Sequence, residues 1–344
     1  MAVNLVAVDA MGGDHGCETV VQGAIEYLKE YEGGSIALVG KERLLKKALK
    51  KNRMENSDRI FVINALEEVS MRDQFLTYWR KRERTSIKKG LDLLKQGRAD
   101  ALVSTGNTGA VMAISKEILG TLKNIDRPAL SVMVPTLKGH SLLIDVGANV
   151  DSKPKNLVQF ALMGKVYLEN VIGLKKPRIA LMSIGKEDIK GNELTKNTFS
   201  ILKKLDINFI GNIEGKDIHL GEADLIVTDG FTGNVTLKVS EGFVDLITTL
   251  LKEEIRLSLL SKIGVFFLKS SLKKIKKKLD YSEYGGALLL GVNGVVIIGH
   301  GRSNIKAIKN AIEQSRKFVE KKVVEKIGIE IANMEKIFKE LKYV

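Results

Sequence analysis

Residues 99–111 read ADALVSTGNTGAV, and residues 223–235 read ADLIVTDGFTGNV. Each places a short apolar run after Ala-Asp. Two glycines then follow three places apart, with a threonine before the second. A short apolar run that breaks into a glycine corner and resumes with helical spacing is the strand-turn-helix unit of α/β proteins. Further runs of this kind begin at Leu5 (LVAVD), Ser35 (SIALVG), Arg59 (RIFVI), Leu142 (LLIDV), Arg178 (RIALM) and Ile207 (INFIG). Amphipathic segments such as Glu18 to Tyr31 and Leu157 to Val171 lie between them. The alternation predicts a parallel-rich sheet covered by helices on both faces. Two places read as antiparallel pairs: one around Lys138-Gly139, and ALLLG with VVIIG around Asn293-Gly294. The expected fold is therefore α/β with a mixed, mostly parallel sheet. No Pro/Ser-rich linker divides the 344 residues, so 1–344 is read as a single domain.

Composition narrows the function. One cysteine, Cys17, excludes a disulfide framework and points to a reducing, cytoplasmic setting. No apolar run is long enough to span a bilayer. Fifty-five Lys and Arg against 41 Asp and Glu give a formal charge of +14. That excess suits an acidic partner or an anionic surface, although a lysine-rich background has the same effect. Aromatic residues are few and not interleaved with basic ones, so nucleic acid is not an expected partner.

Lysines crowd the segment 245–280, LLKEEIRLSLLSKIGVFFLKSSLKKIKKKL at its heart, which reads as a basic amphipathic helix pair about Gly264 projecting from the domain. Ile263, Val265, Phe266, Phe267 and Leu268 are its expected membrane contact, the apolar face lying on anionic lipid. A dimer-interface helix pair with solvated lysines is the competing reading.

There is no Walker loop, nucleophile elbow, zinc-type histidine pair or Rossmann glycine fingerprint. Glycine corners carrying Asp, Asn, Thr or Lys recur instead. They present Asp9, Gly12, Gly13 and Asp14; Thr105, Gly106, Asn107, Thr108 and Gly109; Asp145 and Asn149; Lys190, Gly191 and Asn192; Asp229, Gly230, Thr232, Gly233 and Asn234; and His300. Glycine lets backbone approach an anion, and a following helix offers unpaired N–H groups and its positive dipole end. Gathered at strand carboxyl ends, such corners predict a phosphate site. Asp9, Asp14 and His15 are also metal-donor types, but acidic corner residues more commonly cap helices, and neither metal nor cofactor is expected. Cys17 beside His15 is read as a packing residue rather than an acyl-carrying nucleophile.

The blocks VAVDAMGGD, ADALVSTGNTGA, RPAL, LLIDVGANVDSKPKNLVQFALMG, KGNEL, TDGFTGNVTLK and LDYSEYGGALLLGVNGVVIIGHG, in this order and spacing, resemble the phosphate acyltransferases of the PlsX type nearly end to end. The resemblance implies a three-layer α/β/α fold like that of phosphotransacetylase and isopropylmalate dehydrogenase. It implies conversion of acyl-[acyl-carrier protein] and inorganic phosphate into acyl phosphate, which feeds a membrane glycerol-3-phosphate acyltransferase in phospholipid synthesis. It further implies a cytoplasmic homodimer in peripheral contact with the membrane, and catalytic importance for Lys190 and Asn234. On this reading Lys190 handles phosphate or thiolate charge, Asn107 faces phosphate and Asn234 faces the acyl carbonyl. An acyl-CoA-dependent phosphotransacylase and a non-catalytic membrane-surface adaptor are the alternatives. The segment 71–90 departs from the family pattern, with bulky Phe75, Tyr78 and Trp79, and leaves chain-length preference open.

Overall fold

Each of the apolar runs becomes a strand in the computed structural model, which describes residues 5–69, 84–257, 259–279 and 281–340. The strands are β1 (Leu5–Asp9), β2 (Ser35–Gly40), β3 (Ile60–Asn64), β4 (Ala101–Ser104), β5 (Ala129–Thr136), β6 (Gly139–Ile144), β7 (Ile179–Met182), β8 (Phe209–Ile213), β9 (Leu225–Val227), β10 (Ala287–Leu290) and β11 (Val295–Ile298). They form one sheet in the order β3-β2-β1-β4-β11-β10-β5-β6-β9-β7-β8. Both expected antiparallel pairs are present, β5 with β6 and β10 with β11.

The register gives the sheet its functional geometry. β3, β2, β1, β4 and β11 run parallel to one another, as do β6, β9, β7 and β8. Three antiparallel steps across β11, β10, β5 and β6 make the second block run opposite to the first. Asp9 pairs with Ser104, and Ser104 with Ile298. Leu288 pairs with Ser131, Ser131 with Ile144, and Ile144 with Val227. The carboxyl ends of both blocks thus fall along one line across the middle of the sheet, and their glycine corners meet there.

Among the described residues the helices are α1 (Gly16–Glu30), α2 (Glu42–Lys51), α3 (Ser86–Lys95), α4 (Thr108–Leu119), α5 (Pro154–Tyr167), α6 (Glu193–Leu202), α7 (Gly230–Leu257), α8 (Leu259–Leu279), α9 (Ile305–Glu320) and α10 (Val323–Glu340). Alternate strand residues face opposite ways, so Val6 and Val8 join one apolar cluster and Ala7 the other. The first cluster takes in α1, α5, α9 and α10, the second α3 and α4, which is a three-layer α/β/α arrangement.

The helix pair is drawn differently from the sequence expectation. Gly264 lies inside α8, since α7 ends at Leu257 and α8 already begins at Leu259. A helix-interior glycine costs only about 1 kcal/mol, which a 21-residue helix tolerates. The first member also begins far earlier than expected. α7 starts at Gly230 and runs for 28 residues, so the glycine corner and the lysine-flanked hairpin share one continuous helix. No helix among the described residues is long and apolar enough to cross a membrane.

Candidate active site

The line of strand ends opens into a cavity of about 330 Å3. Thr108 and Gly109 from the first turn of α4, Gly147 from the corner after β6, Asn234 from α7 and His300 from the corner after β11 stand in its wall. Met112, Leu130, Val132, Met133 and Leu237 supply an apolar side. The size is that of a small-molecule site, with a few polar groups set in an apolar lining.

The corner of the first block is built by close backbone contact. A side chain at Gly12 has no room, because a Cβ there would lie 2.4 Å from the Gly106 nitrogen. Gly13, at φ +86°, stands against the Thr105 hydroxyl, and the Asp14 N–H donates to the Gly301 carbonyl at 2.7 Å. Thr105 also packs on Gly299, so three successive corners brace one another beside His300. Asp9 is buried beneath them. Its Oδ2 accepts from the Ser104 hydroxyl at 2.6 Å and its Oδ1 from the Met11 N–H. Burial pushes its carboxyl above the ordinary aspartate range, and the hydrogen bonds only partly oppose this. Asn107 caps α4, its Oδ1 accepting from the Ala110 N–H at 3.0 Å. Thr108 and Gly109 open α4, so no carbonyl of their own helix pairs with their N–H groups, and both residues line the cavity.

The second corner repeats this plan with other residues. Asp145 is fully buried and accepts from the N–H groups of Leu130, Gly147, Ala148 and Asn149 and from Asn149 Nδ2. Burial raises its pKa, with those hydrogen bonds opposing. Asn149 also donates to the Pro128 carbonyl and receives the Gly230 N–H on its own carbonyl. Gly233 is pressed so hard on this support that a Cβ would fall 1.9 Å from the Asp145 carbonyl oxygen. Asp229 takes the Thr232 N–H and hydroxyl on its two carboxylate oxygens. One turn into α7, Asn234 lies over Gly147 and donates from Nδ2 to the Val146 carbonyl at 3.1 Å.

His300 has a defined tautomer. The Arg302 N–H donates to Nδ1 at 3.1 Å, so in the neutral ring Nε2 carries the proton and is a donor. Burial lowers its pKa, which favours that neutral form.

The sequence candidates therefore separate. Thr108, Gly109, Asn234 and His300 share the cavity. Asp9, Gly12, Gly13, Thr105, Gly106, Asp145, Asn149, Gly230 and Gly233 build the corners behind it, while Asn107, Asp229 and Thr232 cap helices. Asp14 and His15 are exposed at the start of α1. Lys190 and Gly191 lie in the loop after β7, whose end touches α7 through Met182 and Thr236, and Asn192 caps α6 by accepting from the Thr195 N–H. Lys190 is exposed and does not line the cavity. Cys17 is half-buried against the core, and burial raises its thiol pKa, which suppresses the nucleophilic thiolate. Among the described residues no His, Cys, Asp and Glu cluster has the arrangement of a metal site. Phe75, Tyr78 and Trp79 lie outside the described residues. Sequence reasoning missed Met133, Lys238, Glu241 and Tyr284 in the wall. YSEYGG, with a tyrosine before paired glycines, was the available signal for Tyr284.

A family model described as fatty acid synthesis protein matches residues 5–326. The phosphate acyltransferase of Thermodesulfovibrio yellowstonii is 48% identical over 323 residues, covering 94% of this chain and 93% of its own. That of Geobacter sulfurreducens is 49% identical with the same coverage. Among solved structures, a phosphotransacetylase from Streptococcus pyogenes superposes with a TM-score of 0.61 at 19% identity, covering 92% of this chain and 94% of that one. A 4-hydroxythreonine-4-phosphate dehydrogenase from Klebsiella pneumoniae reaches 0.51 at 12%, over 93% and 98%. These two likenesses concern the fold.

Proposed function

The chain belongs to the phosphate acyltransferase family of fatty acid synthesis proteins, and on that premise we propose how its cavity works and which acyl donor it takes. It is an acyltransferase with phosphate as acceptor. The donor is acyl-[acyl-carrier protein], and the acyl phosphate product serves a membrane glycerol-3-phosphate acyltransferase. The observation that carries this reading is the cavity itself: an opened helix N-terminus, His300 and Asn234 at one place, with an apolar wall beside them.

Phosphate sits against the Thr108 and Gly109 N–H groups, with His300 Nε2–H as a further donor. One phosphate oxygen attacks the thioester carbonyl carbon, and the carbonyl oxygen becomes an oxyanion facing Asn234. Collapse of the tetrahedral intermediate breaks the C–S bond. The thiolate leaves and takes up the proton that the attacking phosphate releases, giving acyl phosphate and free thiol. Holding both reactants in one cavity makes the attack effectively unimolecular. Phosphate is itself the nucleophile, so no enzyme nucleophile is needed. Lys190 stands outside the cavity wall, and its assignment to phosphate or thiolate charge rests on the family resemblance alone.

The charge of +14 favours capture of an acidic carrier protein. Val235, Val239, Phe243, Leu246 and Leu250 make an exposed apolar stripe at helical spacing on α7, which supports a homodimer. Phe266 and Phe267, 73% and 78% exposed among lysines on α8, support peripheral contact with anionic lipid.

The test incubates the protein with phosphate and long-chain acyl-carrier protein, and separately with phosphate and the matching acyl-CoA. Acyl phosphate from the carrier-protein donor is the expected result. Product from acyl-CoA alone assigns a phosphotransacylase instead, and product from neither leaves only a membrane-surface adaptor.

A further inference from the structure

Among the described residues, the wall of the candidate active site carries two formally charged side chains, Lys238 and Glu241, both from α7. Leu237, Lys238 and Glu241 follow Asn234 at the i+3, i+4 and i+7 positions, so one side of α7 presents all four to the cavity. Lys238 Nζ donates to Glu241 Oε2 at 2.8 Å, across a single helical turn. The two side chains are 53% and 33% exposed, which puts the pair at the mouth of the cavity. Water screens an ion pair in that position, so Glu241 holds Lys238 only weakly. Both charges also reach His300. Burial is the main cause of its lowered pKa, Glu241 opposes that shift, and Lys238 adds to it.

Acyl transfer needs a cation that the rest of the wall does not supply. Inorganic phosphate carries more than one negative charge at neutral pH. Its attack moves charge onto the carbonyl oxygen and then the sulfur without removing any. The N-terminus of α4 offers only about half an elementary charge. His300 favours its neutral form, so it gives a hydrogen bond and no full charge. Lys190 stands outside the wall. Lys238 lies one turn beyond Asn234, with an ammonium group on a flexible four-carbon stem and three N–H donors to direct. A phosphate bears more charge than a carboxylate, so it attracts the same ammonium more strongly than Glu241 does.

We propose that Lys238 binds the acceptor phosphate, its ammonium passing from Glu241 to the anion as phosphate enters, with Glu241 as the counter-ion that keeps this cation at the cavity between turnovers. This rests on the acyl-transfer reading above. The test measures KM for phosphate at saturating donor, and inorganic phosphate binding by calorimetry with no donor present. Both are determined for the unaltered chain, Lys238→Met and Glu241→Gln. Lys238→Met is expected to raise KM and the calorimetric Kd for phosphate by about tenfold or more, while KM for the acyl donor stays within about twofold. Glu241→Gln is expected to lower both phosphate constants by about twofold to fivefold, because it frees Lys238 and removes a like charge. A pair that only braces α7 would lose equally from either side, so equal increases in the two variants overturn the proposal. Unchanged phosphate constants in Lys238→Met overturn it too. Failure of the unaltered chain to form acyl phosphate from any donor is a failure of the underlying reading, seen before any variant is made.

Discussion

Asn234 stands where the two glycine corners differ in sequence, since its counterpart by alignment is Ala110. The difference is functional in form: Ala110 only gives its N–H to the Asn107 cap, whereas Asn234 presents an amide to the cavity. Asn107, spelled to look like a second donor, spends its side-chain oxygen on capping α4. Asn234→Ala is expected to lower kcat on the order of 100- to 1,000-fold, because the donor acts on charge that develops only in the transition state. KM for phosphate should move little. Its hydrogen bond to Val146 contributes about 1 kcal/mol to stability, so the melting temperature should barely change. Steady-state kinetics with a thermal melt check both, and an unchanged kcat removes Asn234 from the mechanism.

Gly109 and Gly233 hold the same place in two elements of the same spelling, yet their surroundings differ. At Gly109 a Cβ would meet only Asn107 Oδ1 at 3.4 Å, an ordinary contact. At Gly233 it would meet backbone, the Asp145 carbonyl oxygen at 1.9 Å. Backbone cannot swing aside as a side chain can, so α7 has to shift away from β6. Gly233→Ala is expected to destabilise the fold by about 2–3 kcal/mol, and Gly109→Ala by less than about 1 kcal/mol. Denaturant unfolding of the two variants decides the matter, and equal losses contradict this account. The shift at Gly233 also carries Asn234, the next residue, away from the cavity, so Gly233→Ala should lose activity beyond its loss of stability.

Over the whole molecule, α7 links the chemistry to the surface: it begins at the second corner and ends at the lysine-flanked α8. Phe266 and Phe267 protrude there, largely exposed among the described residues. On the proposed lipid contact, burying them in a headgroup layer would stabilise association by roughly 1.5–3 kcal/mol each, and neighbouring lysines would add electrostatic attraction to anionic lipid. Replacing both with glutamate is expected to release the protein from anionic vesicles in a flotation assay while acyl transfer in solution stays unchanged. Vesicle binding that survives the double substitution refutes the lipid contact.

The strands, their two antiparallel pairings and the three-layer class were legible in the chain, because apolar run length and glycine punctuation are local signals. So were the corners, down to Thr108, Gly109, Asn234 and His300. Local signals do not tell which face of a corner meets empty space. Asp145 and Asn149 carry the same polar types as Asn234, but burial commits them to the backbone around them. The reversal of direction across β11, β10, β5 and β6 is completed by the pairing of β10 with β5, where Leu288 meets Ser131, residues far apart in the chain that no local signal joins. Only that pairing brings the carboxyl ends of both blocks to one line. The chain by itself determined the corners, and the tertiary structure decided which of them face one another.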